Sequence, residues 1–201
     1  MKPLTVILAA GDFPRKGGAA WQLLAAAKRV VCCDGAADAY RRHFRRWPDV
    51  IIGDLDSFGE RCVPCRVIRD ADQETNDLEK AMTYCAKRSW RDPVIVGAMG
   101  KREDHMIGNV FRVLEHGLEI VTDRGRFIPV CGKVTLNVVK GSAVSIFATD
   151  PKTRMTSSGL RWPLDGVRFR NLYCATLNRT TASKITLTAT KAVYVYISER
   201  T

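Results

Sequence analysis

Apolar positions along this 201-residue chain follow two regimes. Through the first two-thirds, short unbroken apolar runs alternate with stretches whose apolar residues recur every three or four positions. Leu4–Ala10, Arg29–Cys33, Val50–Ile52, Arg66–Ile68, Val94–Val96 and Glu119–Thr122 read as strands. Between them, Ala19–Lys28, Ala36–Arg46, Asp77–Arg88 and Asp104–Gly117 read as helices. Leu78, Ala81, Met82 and Cys85 share one face of the third helix; Ile107, Val110, Phe111 and Leu114 share one face of the fourth. Strands alternating with helices in this way predict a mostly parallel sheet covered on both faces. From Lys133 onward the chain turns β-rich, with strands expected at Lys133–Val139, Ala143–Phe147, Ser183–Thr190 and Ala192–Ser198. Two-residue alternation in Thr186-Leu187-Thr188 and Tyr194-Val195-Tyr196-Ile197 suits half-exposed antiparallel strands. The expected fold class is therefore α/β: a mostly parallel α/β domain over residues 1–132, then a small antiparallel β-sandwich over 133–201, with the boundary near Gly132.

Composition changes this picture only in part. With 46% hydrophobic and 26% charged residues the chain reads as an ordinary soluble globular protein. No run approaches the ~18 consecutive apolar residues of a membrane span. Leu4–Ala10 follows Lys2 but is short and leads into a Gly-Asp-Phe-Pro loop, so it reads as a buried first strand rather than a signal sequence. The seven cysteines are scattered through apolar segments, which fits reduced thiols in a cytoplasmic protein. Cys62-Val63-Pro64-Cys65 has the spacing of a redox or zinc pair, but no second pair accompanies it.

Charge is more informative. The formal net charge is +11, yet nine of the 21 carboxylates lie between Asp49 and Glu79. Crowded carboxylates repel one another unless a cation sits among them, and Mg²⁺ with a polyphosphate is the commonest solution. From Lys133 onward there are 11 Lys/Arg against 3 Asp/Glu, so the two parts of the chain carry different electrostatic loads. The basic stretch Arg41-Arg42-His43-Phe44-Arg45-Arg46-Trp47 reads first as the solvated end of a helix, and only second as a nucleic-acid patch.

The polar motifs gather where an open α/β sheet binds ligands, beyond the carboxyl ends of its strands. Cys33-Asp34-Gly35-Ala36 follows the second strand, Gly53-Asp54-Leu55-Asp56-Ser57-Phe58 the third, and Gly97-Ala98-Met99-Gly100-Lys101-Arg102-Glu103-Asp104-His105 the strand at Val94–Val96. Asp72-Gln73-Glu74-Thr75-Asn76-Asp77 opens the third helix, with Thr75 a candidate N-cap. Asp54 and Asp56, two apart after a glycine, can converge on one hard cation or simply form a solvated turn. Lys80 reads as a surface lysine or a phosphate ligand, and Arg102 at a helix start suits phosphate oxygens. His105 reads as a helix-start hydrogen-bonder rather than a general base. In the β-rich part, Trp162 offers an indole face to a cationic aromatic ligand or to the core.

Taken in order, these segments resemble the thiamine pyrophosphokinase family: Cys33–Ala37, Pro48–Ser57, Asp72–Ala81, Gly97–Asn109 and Gly159-Leu160-Arg161-Trp162-Pro163-Leu164. The resemblance spans nearly the whole chain. It implies transfer of a diphosphate from Mg-ATP to the hydroxyl of thiamine, giving thiamine diphosphate and AMP. It further implies an α/β nucleotide domain, a β-sandwich, and a homodimer with thiamine at the subunit interface. By the same resemblance Asp54, Asp56 and Asp77 hold Mg²⁺, with Lys80 and Arg102 completing the catalytic set. Asp34, Gln73, Thr75, Asp104 and Asn109 would line the path of ATP, which is the co-substrate. Trp162, Asn178 and Ser158 would contact thiamine. The chain departs from the family pattern at Lys101, where a second glycine is usual, and at Leu177, where a serine commonly precedes the asparagine. Two rival readings share fewer features: a Mg-dependent diphosphotransferase or nucleotide hydrolase acting on another alcohol, and a basic nucleic-acid-binding module.

Overall fold

A computed structural model describes residues 4–55, 63–70, 72 and 74–199. The chain forms two compact units, residues 1–123 and 124–201. In the first, β1 (Thr5–Leu8), β2 (Arg29–Cys33), β3 (Val50–Gly53), β4 (Arg66–Arg69), β5 (Val94–Val96) and β6 (Glu119–Val121) form a sheet in the order β6-β5-β1-β2-β3-β4. All of its recorded pairings are parallel. The unbroken apolar runs follow from this, because β1 and β3 are buried at every position. β4 stands at the edge and is largely exposed.

Helices α1 (Ala19–Ala26), α2 (Ala36–Phe44), α3 (Asp77–Lys87) and α4 (Glu103–Glu115) follow β1, β2, β4 and β5. Ala20 and Leu24 of α1 and Ala37 and Tyr40 of α2 share one core with Val6, Leu8, Val30, Cys32 and Ile51. α3 buries Leu78, Ala81, Met82 and Cys85, as the periodicity predicts. α4 buries the expected face only toward its end, with Val110 and Phe111 half-buried. Val113 and Leu114 enter the core whereas Ile107 is 57% exposed, so only the last turns of this helix pack and its first turns stand beside a cleft.

The second unit contains β7 (Gly125–Asn137), β8 (Ala143–Phe147), β9 (Met155–Ser158), β10 (Ala175–Arg179) and β11 (Lys184–Ser198), all antiparallel where paired. β11 is one long strand flanked by β7 along its length. On its other side, Thr186–Ala189 meets β9 and Tyr194–Ile197 meets β8, beyond which lies β10. The break expected between Thr190 and Ala192 is a bulge. Register shifts between Ala189 and Val193, which face Gly132 and Val130, and Gly132 has φ +75°. Gly132 thus marks a bend inside β7 rather than a boundary, and the chain divides earlier, at Asp123. β9 and β10 were not expected from alternation, being short and rich in Ser, Thr and Asn. Ile185, Leu187, Val193, Val195, Val144 and Ile146 form the core of this unit. Tyr194 is fully buried rather than half-exposed, with the edge of Phe127 against it at a centroid distance of 5.9 Å.

Candidate active site

In the first unit the chain steps from β1 through β2 and β3 to β4 and then returns to the far side of β1 to place β5. Open α/β sheets bind ligands in the crevice beyond the carboxyl ends of the strands at such a switch point. A cleft of about 670 Å³ lies there, lined by Ala10 and Gly11 after β1, Asp54 after β3, Gly100 to Arg102 after β5, and by α3 and α4. The two loops are held side by side by backbone bonds: Ala9 N–H to Val96 O at 2.9 Å, Gly11 N–H to Gly97 O at 2.8 Å, and Asp12 N–H to Met99 O at 2.7 Å.

Three carboxylates converge at the strand ends. One oxygen each from Asp34, Asp54 and Asp77 lies within 4.8 Å of the others. Asp34 is buried, and its N–H donates to Ile52 O of β3 at 2.9 Å. Gly53 makes the approach possible: a Cβ there would stand 2.9 Å from Asp34 Cβ and 3.0 Å from Asp77 Oδ2. Three hard oxygen donors around a backbone position that admits no side chain fit a Mg²⁺-sized cation. Asp54 and Asp77 therefore meet as expected, and Asp34 joins them as a third member. Asp56 and Gln73 lie outside the described residues, as does Cys62.

The cations around the cleft are nearly all committed. Lys80 is buried; its Nζ donates to Asp70 O at 2.8 Å and stands 3.6 Å from Asp77 Oδ1. It thus braces the acidic loop instead of lying on the surface. Arg102 grips Asp104 through Nε–Oδ1 at 3.1 Å and Nη2–Oδ2 at 2.6 Å, both side chains being about two-thirds exposed. The Arg102 guanidinium, helped by the His105 N–H, brings the Asp104 carboxyl down to about 2. Asp104 is not among the cleft-lining residues, whereas Arg102 is. Arg112 pairs with Glu79 across α3 and α4. Asn76 caps α3, its Oδ1 accepting from Glu79 N–H at 2.9 Å, while its Nδ2 donates to Asn109 Oδ1 at 3.1 Å. Thr75 is not the cap; its hydroxyl donates to Asp72 Oδ2 at 2.8 Å. Glu74 N–H and the Thr75 hydroxyl hold the Asp72 carboxyl below the usual range.

The sequence reading assigned neither Asn76 nor Arg112 to the site and took His105 as a helix-start hydrogen-bonder rather than a general base, yet all three line the cleft. The spacing of His105, Asn109 and Arg112, by four and three, was the available signal for one face of a helix. Behind the carboxylates, burial pushes the Cys32 and Cys33 thiols well up and Cys85 to about 12. These thiols are neutral packing groups, not nucleophiles.

In the second unit Trp162 is 51% exposed, and the Arg161 guanidinium lies 4.8 Å from its ring centroid. Asn178 is 4% exposed and spends its amide on the same loop: Trp162 N–H donates to Oδ1 at 3.2 Å and Nδ2 donates to Trp162 O at 2.7 Å. Asn178 thus fixes the Trp162 backbone. Ser158 is exposed at the end of β9, paired with Thr186. Leu177, before Asn178, has φ +66° and is 82% exposed at the β10 irregularity.

Comparison with known proteins covers most of the chain. The model of the thiamin pyrophosphokinase catalytic domain matches residues 20–122, and that of the thiamin pyrophosphokinase substrate-binding domain matches 125–196. A thiamin pyrophosphokinase 1 of Caenorhabditis elegans is 31% identical over 94 residues, covering 42% of this chain and 39% of that protein. Thiamine pyrophosphokinase 1 of Oryza sativa subsp. japonica is 25% identical over 187 residues, covering 69% of this chain and 66% of the relative. The chain thus spans less than two-thirds of the length of these two relatives. The crystal structure of a thiamine pyrophosphokinase from Bacillus subtilis superposes with a TM-score of 0.74 at 17% identity, over 97% of this chain and 98% of that one.

Proposed function

This chain belongs to the thiamine pyrophosphokinase family, and on that premise we propose that it transfers a diphosphate from Mg-ATP to the hydroxyl of thiamine. The observation that carries the reading is the meeting of Asp34, Asp54 and Asp77, the last two lining a cleft that Lys80, Lys101, Arg102 and Arg112 also line. Asp34, Asp54 and Asp77 would hold Mg²⁺, with Asp56 assigned beside them by the family resemblance. When bound, the metal supplies charge neutralisation on the triphosphate and polarises the β-phosphorus. Lys80 keeps Asp77 in place, and Arg102 stands at the cleft edge where phosphate oxygens would lie. Thr75 and Asn109 line the ATP path; Gln73 belongs there by resemblance. The thiamine hydroxyl oxygen bonds to the β-phosphorus as the α–β bridge breaks, its proton passes to solvent or a phosphate oxygen, and AMP leaves with the bridging oxygen. Transfers of this kind rest on positioning and electrostatics more than on a strong base.

Trp162 is proposed as the platform for the cationic thiazolium ring, and by the family resemblance that site would lie at the interface of a homodimer. Ser158 is a polar contact for thiamine, while Asn178 acts on the site through the Trp162 loop. The second, antiparallel unit is accordingly read as the thiamine domain and the first as the nucleotide domain. Neutral buried thiols suit the reducing cytoplasm.

The direct test is product analysis. Protein with Mg-ATP and thiamine should yield AMP and thiamine diphosphate in equal amounts, and Asp54→Asn should lower turnover by about 10²-fold or more with the fold intact. Formation of ADP, or AMP release that ignores thiamine, would overturn the assignment. Trp162→Ala with unchanged thiamine kinetics would instead favour another alcohol as acceptor.

A further inference from the structure

We propose that Lys101 is a polyphosphate-binding residue of this cleft, held ready by the loop after β1. The proposal rests on reading the cleft as a Mg-ATP site. Four Lys or Arg residues line that cleft. Three have carboxylate partners: Lys80 with Asp77, Arg102 with Asp104, and Arg112 with Glu79. Among the described residues, Lys101 is the one lining Lys or Arg with no such partner. Its ammonium donates instead to a neutral acceptor, the Ala10 carbonyl, at 2.7 Å. Its charge thus has no ion-pair partner among the described residues of the cleft lining, although the Asp12 carboxylate stands against the preceding Gly100.

The backbone supports the same conclusion. Lys101 has φ +57°, a left-handed conformation that favours glycine, and the preceding Gly100 has φ +78°. A side chain at position 100 would collide with the Asp12 carboxylate, whose Oδ2 would lie 2.0 Å from the added Cβ. Backbone bonds from Gly11 and Asp12 to Gly97 and Met99 already fasten the two loops, so the Lys101–Ala10 bond is not needed to hold them together. A strained lysine whose link is structurally redundant is best accounted for by the charge that it carries. Ammonium in reach of a polyphosphate trades one carbonyl acceptor for anionic oxygens, a stronger hydrogen bond.

The test separates charge from scaffolding. Lys101→Met keeps a long side chain without charge, Lys101→Arg keeps the charge, and Lys101→Gly relieves the backbone. Binding of α,β-methylene-ATP with Mg²⁺, and of AMP, is measured by calorimetry on the full chain, with thermal melting alongside. Lys101→Met and Lys101→Gly should weaken the ATP analogue about tenfold or more and AMP by less than about threefold, and Lys101→Arg should recover most of the loss. Lys101→Gly should melt no lower than wild type. Wild-type affinity for the analogue in Lys101→Met, or equal losses for AMP and the analogue together with a lower melting point, would overturn the proposal and leave a loop staple. A wild-type protein that bound no nucleotide would overturn the Mg-ATP reading itself.

Discussion

A buried ammonium beside a carboxylate sets the shape of the acidic centre. Lys80 has a side chain only 4% exposed, and it fastens the Asp70 carbonyl while lying 3.6 Å from Asp77. Lys80→Met would strand that carbonyl and remove the cation next to Asp77, in a pocket already carrying Asp34 and Asp54. The variant should lose roughly 2–4 kcal/mol of stability, since breaking a buried pair leaves an uncompensated charge behind. Chemical denaturation measures this directly. A variant that kept its stability but lost turnover would show Lys80 working on phosphate rather than on the scaffold. Arg102 differs in kind: its pairing with Asp104 is exposed, and an exposed pair of this sort contributes little to folding. It therefore remains able to exchange Asp104 for a phosphate.

Elements carry the next level of the argument, and the long antiparallel pairing of β7 with β11 is the clearest case. Its bulge places Gly132 at φ +75° opposite Ala189, and nothing stands within 4 Å of where a Cβ would be added. The cost of a side chain there is conformational alone. Gly132→Ala should destabilise the protein by about 1–2 kcal/mol, read as a lower denaturation midpoint, while nucleotide affinity in the first unit stays unchanged. The same glycine explains why the domain boundary was misplaced from sequence: a glycine bends a strand as readily as it ends one. The parallel unit was legible because strands buried on both faces have unbroken apolar runs, and because its loops concentrate carboxylates. β9 and β10 were not, since Ser, Thr and Asn in short strands give no alternation to read. The pair visible from spacing was Asp54 and Asp56, of which Asp56 lies outside the described residues, and Asp77 joined them only through the family resemblance. The partners of Lys80, Asn76 and Arg112 were not visible, because they depend on how α3 and α4 approach one another.

Over the whole molecule, dividing the chain at Asp123 sharpens the charge asymmetry. Residues 124–201 hold 13 Lys/Arg against 3 Asp/Glu, so +10, and residues 1–123 hold 19 against 18, so +1. Among the described residues, the ten cations from Lys133 to Lys191 have no carboxylate partner. The rival reading of a nucleic-acid module therefore draws on the charge of the second unit and on the Arg41–Trp47 stretch of the first, while the acidic cleft belongs to the first alone. Unpaired surface cations adsorb polyanions without specificity, and such adsorption is strongly salt-dependent because it releases condensed counterions. The protein should accordingly retain RNA on a filter at about 50 mM salt and release most of it by about 200 mM. Asp54→Asn, which should remove diphosphate transfer, should leave that retention unchanged. Retention that survived moderate salt, or that discriminated between RNA sequences, would mean that the basic unit recognises nucleic acid in its own right. Loss of retention with salt would leave the +10 as a general property of the surface, and the chemistry with the three carboxylates.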